Sequence, residues 1–235
     1  MARHDPILVP ARFNGPPDSG NGGYSAGLLA ARLSGPATVE LRAPPPLDTP
    51  LDVLTTDTGL EARNGDTLVM RARPGGPDLK APAAPPLDVV REGAKQYPGC
   101  DDHALPTCFV CGPARDPRDG LCLRTGPLTG TPLVGDVWTP MDDLGDEQGY
   151  VRPEILWAAL DCPSCFAIPE LGNPILLGRI SARIDVRPRV SEPVAVIGWH
   201  AHSDGRKHQT GTALYGVDGT LLAQSDTLWI ELKPR

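Results

Sequence analysis

The chain has 235 residues, of which 40% are hydrophobic and 5% aromatic, enough for one large domain or two small ones with buried cores. Its formal net charge of −7 and isoelectric point near 5.2 argue against nucleic acid or an anionic membrane as the main partner. The sequence has no apolar run of membrane-spanning length and no signal-peptide core at its N-terminus. We therefore expect a soluble cytoplasmic protein, and a small anionic ligand held by local basic residues stays open.

The first half of the chain predicts one short helix followed by strands. The stretch "NGGYSAGLLAARL", Asn21 to Leu33, places a glycine-rich turn before an apolar run that has no polar face. Such a run is typical of a helix that is surrounded by protein. Alternating segments follow, from "VELRAPPPLDTPLDV" to "GDTLVMRARP", and they predict strands.

The middle of the chain has the composition of a linker. Proline and glycine are densest between Pro74 and Pro106, where only "LDVVREGAKQY" could form a short helix. This segment predicts an N-terminal unit at residues 1–75, a proline-rich linker at 76–106 and a C-terminal unit at 107–235.

The predicted helix of the second half carries an unusual carboxylate. The stretch "PEILWAALDCPSCFA", Pro153 to Ala167, predicts an apolar helix that carries Asp161. An ionised carboxylate that loses its water is costly unless a partner compensates it. Four alternating segments follow, and Asp204-Gly205 and Asp218-Gly219 predict the hairpin turns between the last three of them.

The two halves resemble each other in three blocks that occur in the same order, which favours an internal duplication. A helix without a polar face, followed by an antiparallel meander, suggests a sheet curled around that helix. Two such copies can pair their free sheet edges. The matched blocks are 22–33 with 153–164, 39–53 with 182–196, and "GDTLVMRARP" with "AQSDTLWIELKP".

Six cysteines occur without a secretory signal, so a disulfide framework is not expected. Four residues have the ligand types and spacing of a zinc knuckle, although buried cysteines are also common as small apolar residues. A separate pair, Cys162 and Cys165, is interpreted as helix packing, with a metal or redox role as the alternative. The residues of the zinc alternative are Cys100, His103, Cys108 and Cys111.

The sequence resembles the hotdog-fold acyl-CoA thioesterases, particularly the double-hotdog form with two fused copies. The resemblance is carried by "NGGYSAGLLAARL", "RPEILWAALD", "CFVCGPARDPRDGL" and the glycine turns of the C-terminal strands, and it covers most of the chain except the linker. It implies an α+β double hotdog: two antiparallel sheets, each wrapped around one central apolar helix, with paired edges. Hotdog units also occur in dehydratases, hydratases and non-catalytic regulators, so the resemblance is more specific for fold than for reaction.

In this family the N-terminus of one helix polarises the thioester carbonyl, and a carboxylate comes from the opposite helix. The physical basis is general, because a helix N-terminus offers unpaired N–H donors to an oxygen that gains negative charge. Asn21-Gly22-Gly23 matches the glycine turn, but Ala30 stands in place of the carboxylate. In the second half Asp161 matches the carboxylate, whereas Arg152-Pro153-Glu154 replaces the turn with a residue that lacks an N–H and with a negative charge.

The resemblance therefore implies one composite site. Asp161 would be the base or the nucleophile, and the N–H of Gly23 or Gly22 would hold the thioester oxygen. The structural alternative for Asp161 is a carboxylate that caps a neighbouring backbone group or pairs with an arginine.

Eight further residues are candidates for contact with substrate, each with a structural alternative. Asn21 could instead cap its helix, and Glu154 could be a solvated residue of the first helical turn. The segment 206–208 is either a phosphate contact for the coenzyme tail or a solvated hairpin end. The tryptophans belong to the core or to an acyl pocket. The candidates are Asn21, Tyr24, Glu154, Trp157, Arg206, Lys207, His208 and Thr227.

These features predict hydrolysis of a small-molecule substrate, an acyl-CoA-type thioester, with no metal or other cofactor and with the acyl chain in an apolar tunnel between the halves. The alternative is a non-catalytic double hotdog that binds an acyl-CoA or another lipid-like ligand. A hydratase is disfavoured because the sequence lacks an Asp/His pair in the expected arrangement. A homodimer or higher oligomer stays open.

Overall fold

A computed structural model of the chain describes residues 3–100 and 103–233, without the side chain of Cys100. This part of the chain is α+β, with one large antiparallel sheet and three α-helices. No helix in it combines the length and the apolar character needed to cross a membrane. The helices are α1 (Gly22–Ala30), α2 (Leu87–Ala94) and α3 (Pro153–Ala159), and 3₁₀ turns occupy Ala11–Phe13, Pro98–Cys100, Asp142–Leu144 and Cys162–Ala167.

The described residues form eleven strands in a single sheet, with the order β1-β3-β4-β5-β2-β8-β11-β10-β9-β7-β6. The first-half strands are β1 (Arg3–Ile7), β2 (Ala37–Leu41), β3 (Leu51–Thr56), β4 (Gly59–Asn64) and β5 (Thr67–Pro74). The second-half strands are β6 (Gly126–Pro127), β7 (Leu133–Trp138), β8 (Ile175–Ile184), β9 (Val194–Asp204), β10 (Lys207–Tyr215) and β11 (Leu221–Glu231).

The two sheets expected from the sequence are continuous with each other. The strands that follow the two apolar helices, β2 and β8, pair antiparallel, with Thr38 opposite Ser181 and Val39 opposite Ile180. This pairing joins the edge of the first-half strands to the edge of the second-half strands, so one sheet is observed where the sequence predicts two. Pairing also covers two edges that would otherwise expose unpaired backbone groups.

The meander of the second half is confirmed. Strands β9, β10 and β11 pair as consecutive antiparallel neighbours, and β11 returns to β8. Gly205 and Gly219 occupy the two predicted hairpin turns with φ of 55° and 81°, a conformation that glycine adopts without a Cβ penalty.

Helices α1 and α3 pack against each other in opposite directions. A Cβ on Gly23 would meet Ala158 and Asp161 beyond the middle of α3, whereas a Cβ on Gly27 would meet Glu154 at its start. The absence of side chains at the two glycines lets the helix backbones approach closely. Both helices belong to one apolar cluster that contains strands from both halves of the chain.

Helix α3 ends sooner than the apolar run suggests. It closes at Ala159, and the chain resumes as a 3₁₀ turn at Cys162–Ala167, with Asp161 between the two segments at φ −87° and ψ −90°. Pro163 accounts for the break, because proline lacks an N–H and disfavours helical backbone in the residue before it. Asp161 therefore projects from a bend just past the helix rather than from a helical turn.

The described residues of the expected linker contact the second-half strands. Its predicted short helix is confirmed as α2, whose Val90 lies in a second apolar cluster with Ala195 and Ile197 of β9. Upstream of α2, the backbone N–H groups of Asp78 and Leu79 donate to the carboxylate of Asp226 on β11. The linker thus contacts the C-terminal strands at two places.

Candidate functional site

The carboxylate of Asp161 lies at the N-terminus of α1. Its Oδ2 accepts a hydrogen bond of 2.9 Å from the backbone N–H of Gly23 and one of 3.0 Å from the side-chain amide of Asn21. The side chain is buried, with 2% of the residue exposed. Its other oxygen, Oδ1, is also buried and has no hydrogen-bond partner among the described residues. The structure thus brings together the residues that the resemblance assigned to one composite site.

Burial sets the protonation behaviour of this carboxylate. Removal from water raises the pKa of Asp161 to about 7, and the nearby Cys108 thiol acts in the same direction. The hydrogen bonds from Gly23 and Asn21 oppose the rise because they favour the ionised form. The donors at the helix N-terminus therefore offset only part of the cost of burying the charge.

Asn21 makes three contacts with its side chain. Its Oδ1 accepts from the N–H of Tyr24 at 2.8 Å, which is the bond of a helix N-cap. Its Nδ2 donates to Asp161 at 3.0 Å and also lies 3.8 Å from the sulfur of Cys162. The sequence offered a cap and a substrate contact as alternatives, and the cap is present. The same amide also orients the candidate base.

Gly22 holds the remaining N–H donor of this turn. Gly23 donates to Asp161 and Tyr24 donates to Asn21, but the described part of the chain provides no acceptor for the Gly22 N–H. Gly22 is half-buried, and a Cβ placed on it would contact the side chains of Leu177 and Leu41. The unengaged donor therefore lies beside two leucines that belong to opposite halves of the sheet.

The second helix crossing lacks these features. Ala30 lies at the end of α1 and is buried, and the antiparallel packing directs this end of the helix toward the start of α3. There Pro153 has no N–H to offer, and Arg152 and Glu154 form an ion pair of 3.2 Å with each other. Glu154 lies at the opposite end of α3 from the bend that carries Asp161.

Two aromatic candidates lie in the core. Tyr24 is 5% exposed and stacks on Phe13 with ring centroids 3.9 Å apart, and burial raises the pKa of its hydroxyl to about 12. Trp157 is likewise 5% exposed and covers Gly27 of α1. Both side chains support the helix pair around the site.

The segment 206–208 lies at the hairpin between β9 and β10. Arg206 and Lys207 are exposed, and Arg206 donates to the carbonyl of Glu231 at 2.6 Å. His208 is buried, and its ring nitrogens contact Ser203 at 2.8 Å and Glu231 at 3.1 Å. Only the two exposed residues are placed to meet an external phosphate, since His208 is occupied by its neighbours.

Thr227 lies in a buried cluster of hydroxyl groups. Its Oγ1 is 2.5 Å from that of Thr210 and 3.2 Å from the hydroxyl of Ser164, and it accepts from the indole N–H of Trp229. Ser164 in turn contacts the carbonyl of Asp161, at 3.4 Å. Through Ser164 this hydroxyl cluster contacts the bend that carries Asp161.

The cysteines come together in a different set from the one expected. Cys108, Cys111 and Cys162 are all buried, and their sulfur atoms lie within 4.8 Å of one another. His103 is outside this group, and the side chain of Cys100 lies outside the described residues. The sequence contained the signal for Cys162, in the Cys162-x2-Cys165 spacing, but not its proximity to a segment more than fifty residues earlier.

Two surface cavities lie away from Asp161. One, of about 250 Å³, is lined by the linker and by Tyr215, and the other, of about 400 Å³, by Cys122, Arg124 and Asp136 among others. Neither is lined by a residue of α1 or α3, so neither corresponds to the acyl tunnel expected between the halves.

No family model and no curated protein matches the sequence. The structure, in contrast, is similar over nearly its full length to several solved structures. A hot dog fold protein of unknown function from Alicyclobacillus acidocaldarius is 14% identical, with a TM-score of 0.60, covering 100% of this chain and 97% of that one. A candidate thioesterase from Novosphingobium aromaticivorans is 15% identical, with a TM-score of 0.62 and coverages of 97% and 95%.

A third solved structure is similar to the same extent. The TesB protein of Mycobacterium avium subspecies paratuberculosis is 13% identical, with a TM-score of 0.59, and the match covers 96% of this chain and 91% of that protein. At identities this low, the similarity shows the fold alone. The chain has the hotdog fold, over the whole length that the resemblance in sequence had indicated.

Proposed function

We propose that this protein hydrolyses an acyl-CoA-type thioester at one composite site between an N-terminal hotdog unit, residues 1–75, and a C-terminal unit, residues 107–235. Each unit is proposed to wrap its part of the sheet around its own apolar helix, as expected after an internal duplication. The first unit supplies amide donors and the second supplies Asp161.

The observation that carries the proposal is the unequal environment of the two Asp161 oxygens. Oδ2 is held by Gly23 and Asn21, which fixes the orientation of the carboxylate. Oδ1 is buried without a partner among the described residues. A buried acceptor left unpaired is costly, so its presence calls for an explanation such as a functional role. One oxygen thus anchors the group, and the other is free to accept a proton or to attack a carbon atom.

Hydrolysis would use the two oxygens separately. Asp161 Oδ1 takes a proton from a water molecule, whose oxygen attacks the thioester carbonyl carbon. The C–S bond then breaks, and the departing sulfur takes the proton back from Asp161. In the nucleophilic version Oδ1 attacks the carbon directly and the C–S bond breaks, so that the thiolate leaves and a mixed anhydride forms. Water then hydrolyses the anhydride, which releases the carboxylic acid and regenerates Asp161.

The thioester oxygen needs an N–H donor that the resting structure leaves free. The Gly23 N–H is engaged by Asp161 itself, so Gly22 is the donor available without rearrangement. Gly23 becomes a second donor only when Asp161 turns away from it. We therefore assign the oxyanion contact first to Gly22 and second to Gly23.

The approach of the substrate is proposed to lead past Gly22, between Leu41 and Leu177. These leucines contact the position that a Cβ of Gly22 would occupy, and both are only partly buried. Their separation would admit a thioester to Asp161 and would expose apolar surface to an acyl chain. We propose that Arg206 and Lys207 contact the phosphates of the coenzyme. We also propose that the protein acts in the cytoplasm.

The structural neighbours add support of a general kind. Two full-length matches, from Novosphingobium aromaticivorans and Thermobifida fusca, are themselves described as candidate thioesterases. Those descriptions concern the neighbours. They agree with thioester hydrolysis here without indicating which acyl group is cleaved.

The second candidate function is a non-catalytic hotdog protein that binds an acyl-CoA or another lipid-like ligand. It is favoured by one observation: the carboxylate of Asp161 accepts from the N–H of Gly23 and so caps α1 from the other half of the chain. In that case Asp161 has a structural role, and the ligand would bind without turnover.

Turnover of acyl-CoA thioesters of increasing chain length by purified protein tests the proposal. The free thiol is quantified by chromatography with mass detection, since the protein's own cysteines would react with a thiol reagent. Asp161→Asn should lower the rate by at least about 100-fold, a typical effect of losing a general base. Asp136→Asn is the control, because Asp136 is a half-buried carboxylate that also accepts two backbone N–H bonds, yet it lies on β7 away from α1.

The outcomes separate the two candidate functions. Hydrolysis that is lost in Asp161→Asn but kept in Asp136→Asn supports the enzyme. Absence of hydrolysis for every thioester, together with ligand-dependent stabilisation that Asp161→Asn leaves unchanged, supports the binding protein. Hydrolysis at an undiminished rate in Asp161→Asn contradicts the assigned base.

A further inference from the structure

We infer that Cys108, Cys111 and Cys162 bind a zinc ion as thiolates, with Cys165 as the fourth ligand, so that two Cys-x2-Cys pairs from distant parts of the sequence form one site. The inference concerns a structural metal and does not require the proposed hydrolysis, although Cys162 directly follows Asp161 in the sequence.

The sulfur positions fit a tetrahedral zinc site. The sulfur atoms of Cys108 and Cys162 are 3.9 Å apart, and all three sulfurs lie within 4.8 Å of one another. Zinc–sulfur bonds of about 2.3 Å at tetrahedral angles separate neighbouring sulfurs by roughly 3.8 Å. The three thiols therefore need to move little to bind one ion.

The first cysteine pair lies in a turn shaped for a metal-bound sulfur. Phe109 and Val110 separate the two cysteines, and both cysteine side chains are buried. Gly112 closes the turn by donating to the carbonyl of Cys108 at 3.0 Å, and a Cβ there would collide with backbone atoms of Cys108 and Pro106. A glycine directly after the second cysteine is thus required by the turn.

The turn is held rigidly on both sides. The N–H of Leu121 donates to Phe109 and that of Leu123 donates to Val110, each at 2.8 Å, so the two residues between the cysteines are fixed by a neighbouring segment. Phe109 and Val110 are fully buried. This preorganisation reduces the conformational cost of binding an ion.

The second cysteine pair comes from the bend after α3. Cys162 begins the 3₁₀ turn and places its sulfur against Cys108, while Cys165 follows three residues later in the same turn. The sulfur of Cys165 is outside the group of three. A rotation about its Cα–Cβ bond is the change we propose on binding.

His103 is a poorer fourth ligand. Its Nδ1 accepts a hydrogen bond from the N–H of Leu105 at 2.9 Å, so the proton of the neutral ring is on Nε2. A protonated nitrogen cannot bind a metal, and ligation through Nε2 would require the loss of that hydrogen bond. The sulfur of Cys165 has to rotate toward the group and to release its proton, as the other three thiols also do.

Metal analysis of the intact protein tests the inference. The protein is purified without chelator and without metal-affinity steps, and its zinc content is measured by mass spectrometry. We expect about one Zn²⁺ per chain. Exchange with Co²⁺ should give the charge-transfer and d–d absorption of a tetrahedral thiolate site.

Serine variants identify the ligands. Cys108→Ser and Cys162→Ser should abolish the cobalt absorption or weaken binding at least about 10-fold, and Cys165→Ser should shift the absorption bands. Cys122→Ser is the control, because Cys122 is half-buried, lies outside the group and contacts only backbone carbonyls. It should bind metal as the unmodified protein does.

Three results would overturn the inference. The first is folded protein that neither contains zinc nor binds added Zn²⁺ or Co²⁺ under reducing conditions. The second is unchanged metal binding in Cys162→Ser, and the third is a Cys165→Ser spectrum identical to that of the unmodified protein, which would exclude the fourth ligand. If a ligand variant does not fold, the cobalt spectrum of the unmodified chain decides, since it reports thiolate ligation directly.

Discussion

The backbone N–H of Gly23 lies 2.9 Å from Oδ2 of Asp161, although 138 residues separate them in sequence. The first N–H groups of a helix have no partner within the helix, and an N-cap normally comes from the residue just before it. Here Asn21 satisfies one donor of α1 locally, and the other half of the chain satisfies the next. The start of α1 thus depends on both halves being folded.

The first prediction concerns the space at Gly23. A Cβ at this position would meet the carbonyl of Trp157, and it would lie 2.6 Å from Cβ of Asp161 and 3.1 Å from Cα of Ala158. Backbone atoms cannot rotate out of the way, so Gly23→Ala must separate α1 from α3. We expect a loss of about 1–3 kcal/mol in the free energy of unfolding, which exceeds the gain of at most about 1 kcal/mol from replacing a helical glycine.

Chemical denaturation with urea measures this loss. Gly172→Ala provides the comparison, because the nearest atom to its Cβ would be a side-chain oxygen of Glu231 at 3.6 Å. That control should remain within about 0.5 kcal/mol of the unmodified protein. Equal stability of Gly23→Ala and Gly172→Ala would mean that the two helices do not pack this closely.

The second prediction separates the helix cap made by Asn21 from the contact of its amide with Asp161. Asn21→Ser keeps an oxygen that can cap α1 but loses the amide that donates to Asp161, whereas Asn21→Ala loses both. A hydrogen bond to a charged group contributes about 1.5–3 kcal/mol, and a cap contributes about 1 kcal/mol. We therefore expect Asn21→Ser to be destabilised and Asn21→Ala to be destabilised further.

Unfolding midpoints of the two variants, with Asn64→Ser as an exposed control, provide the measurement. Similar values for Asn21→Ser and the unmodified protein would show that the amide contributes nothing to the orientation of Asp161. If the protein hydrolyses thioesters, Asn21→Ser should also lower the rate of hydrolysis, because Asp161 is then less firmly oriented.

The third prediction concerns the strand pairing that joins the two halves. The hydroxyl groups of Thr38 on β2 and Ser181 on β8 are 2.8 Å apart and buried. Thr38→Val leaves the Ser181 hydroxyl without this partner and should cost about 1–3 kcal/mol. Ser181→Ala should cost less, because Thr38 can still donate to the carbonyl of Gly75 at 3.4 Å.

The double variant should be less destabilised than the sum of the two single variants, since neither hydroxyl is then left buried without the other. A thermodynamic cycle from urea denaturation gives the coupling energy. Additive losses would indicate that the hydroxyls do not interact across the junction of the halves.

The sequence was informative where one short segment determines the structure. The Asp204-Gly205 and Asp218-Gly219 turns, the strands beside them and helix α2 were all predicted, because turn chemistry and alternation are local. The pairing of Gly23 with Asp161 followed from a resemblance that fixed how two helices face each other. Neither prediction required knowledge of side-chain positions.

The remainder depended on contacts between distant residues. The engagement of His208 by Ser203 and Glu231, and the proximity of Cys162 to Cys108, arise only after the sheet has formed. The end of α3 at Ala159 is a different case, since Pro163 was visible in the sequence. There the strong apolar pattern of the run concealed a local signal for a break.

The fourth prediction follows from the attachment of the linker to β11. Asp226 accepts hydrogen bonds from the N–H groups of Leu79 and Asp78, but it is buried, and burial raises its pKa despite those bonds. The Asp78 carboxylate adds to the rise, and Arg179 on β8 opposes it. The folded protein therefore holds the Asp226 proton more tightly than the unfolded chain does.

The sign of the pH dependence follows from that difference. Stability from this group is fully present below the unfolded pKa of about 3.9 and is lost as the pH rises through the higher folded pKa. Asp226→Asn has no such proton, so the stability of the unmodified protein relative to this variant should fall as the pH rises from about 4 toward 7. Urea denaturation of both proteins across that range measures the difference, in which the contributions of carboxylates distant from Asp226 cancel. A difference that grows with pH would show that the amide donors of the linker outweigh burial and hold Asp226 as the charged form.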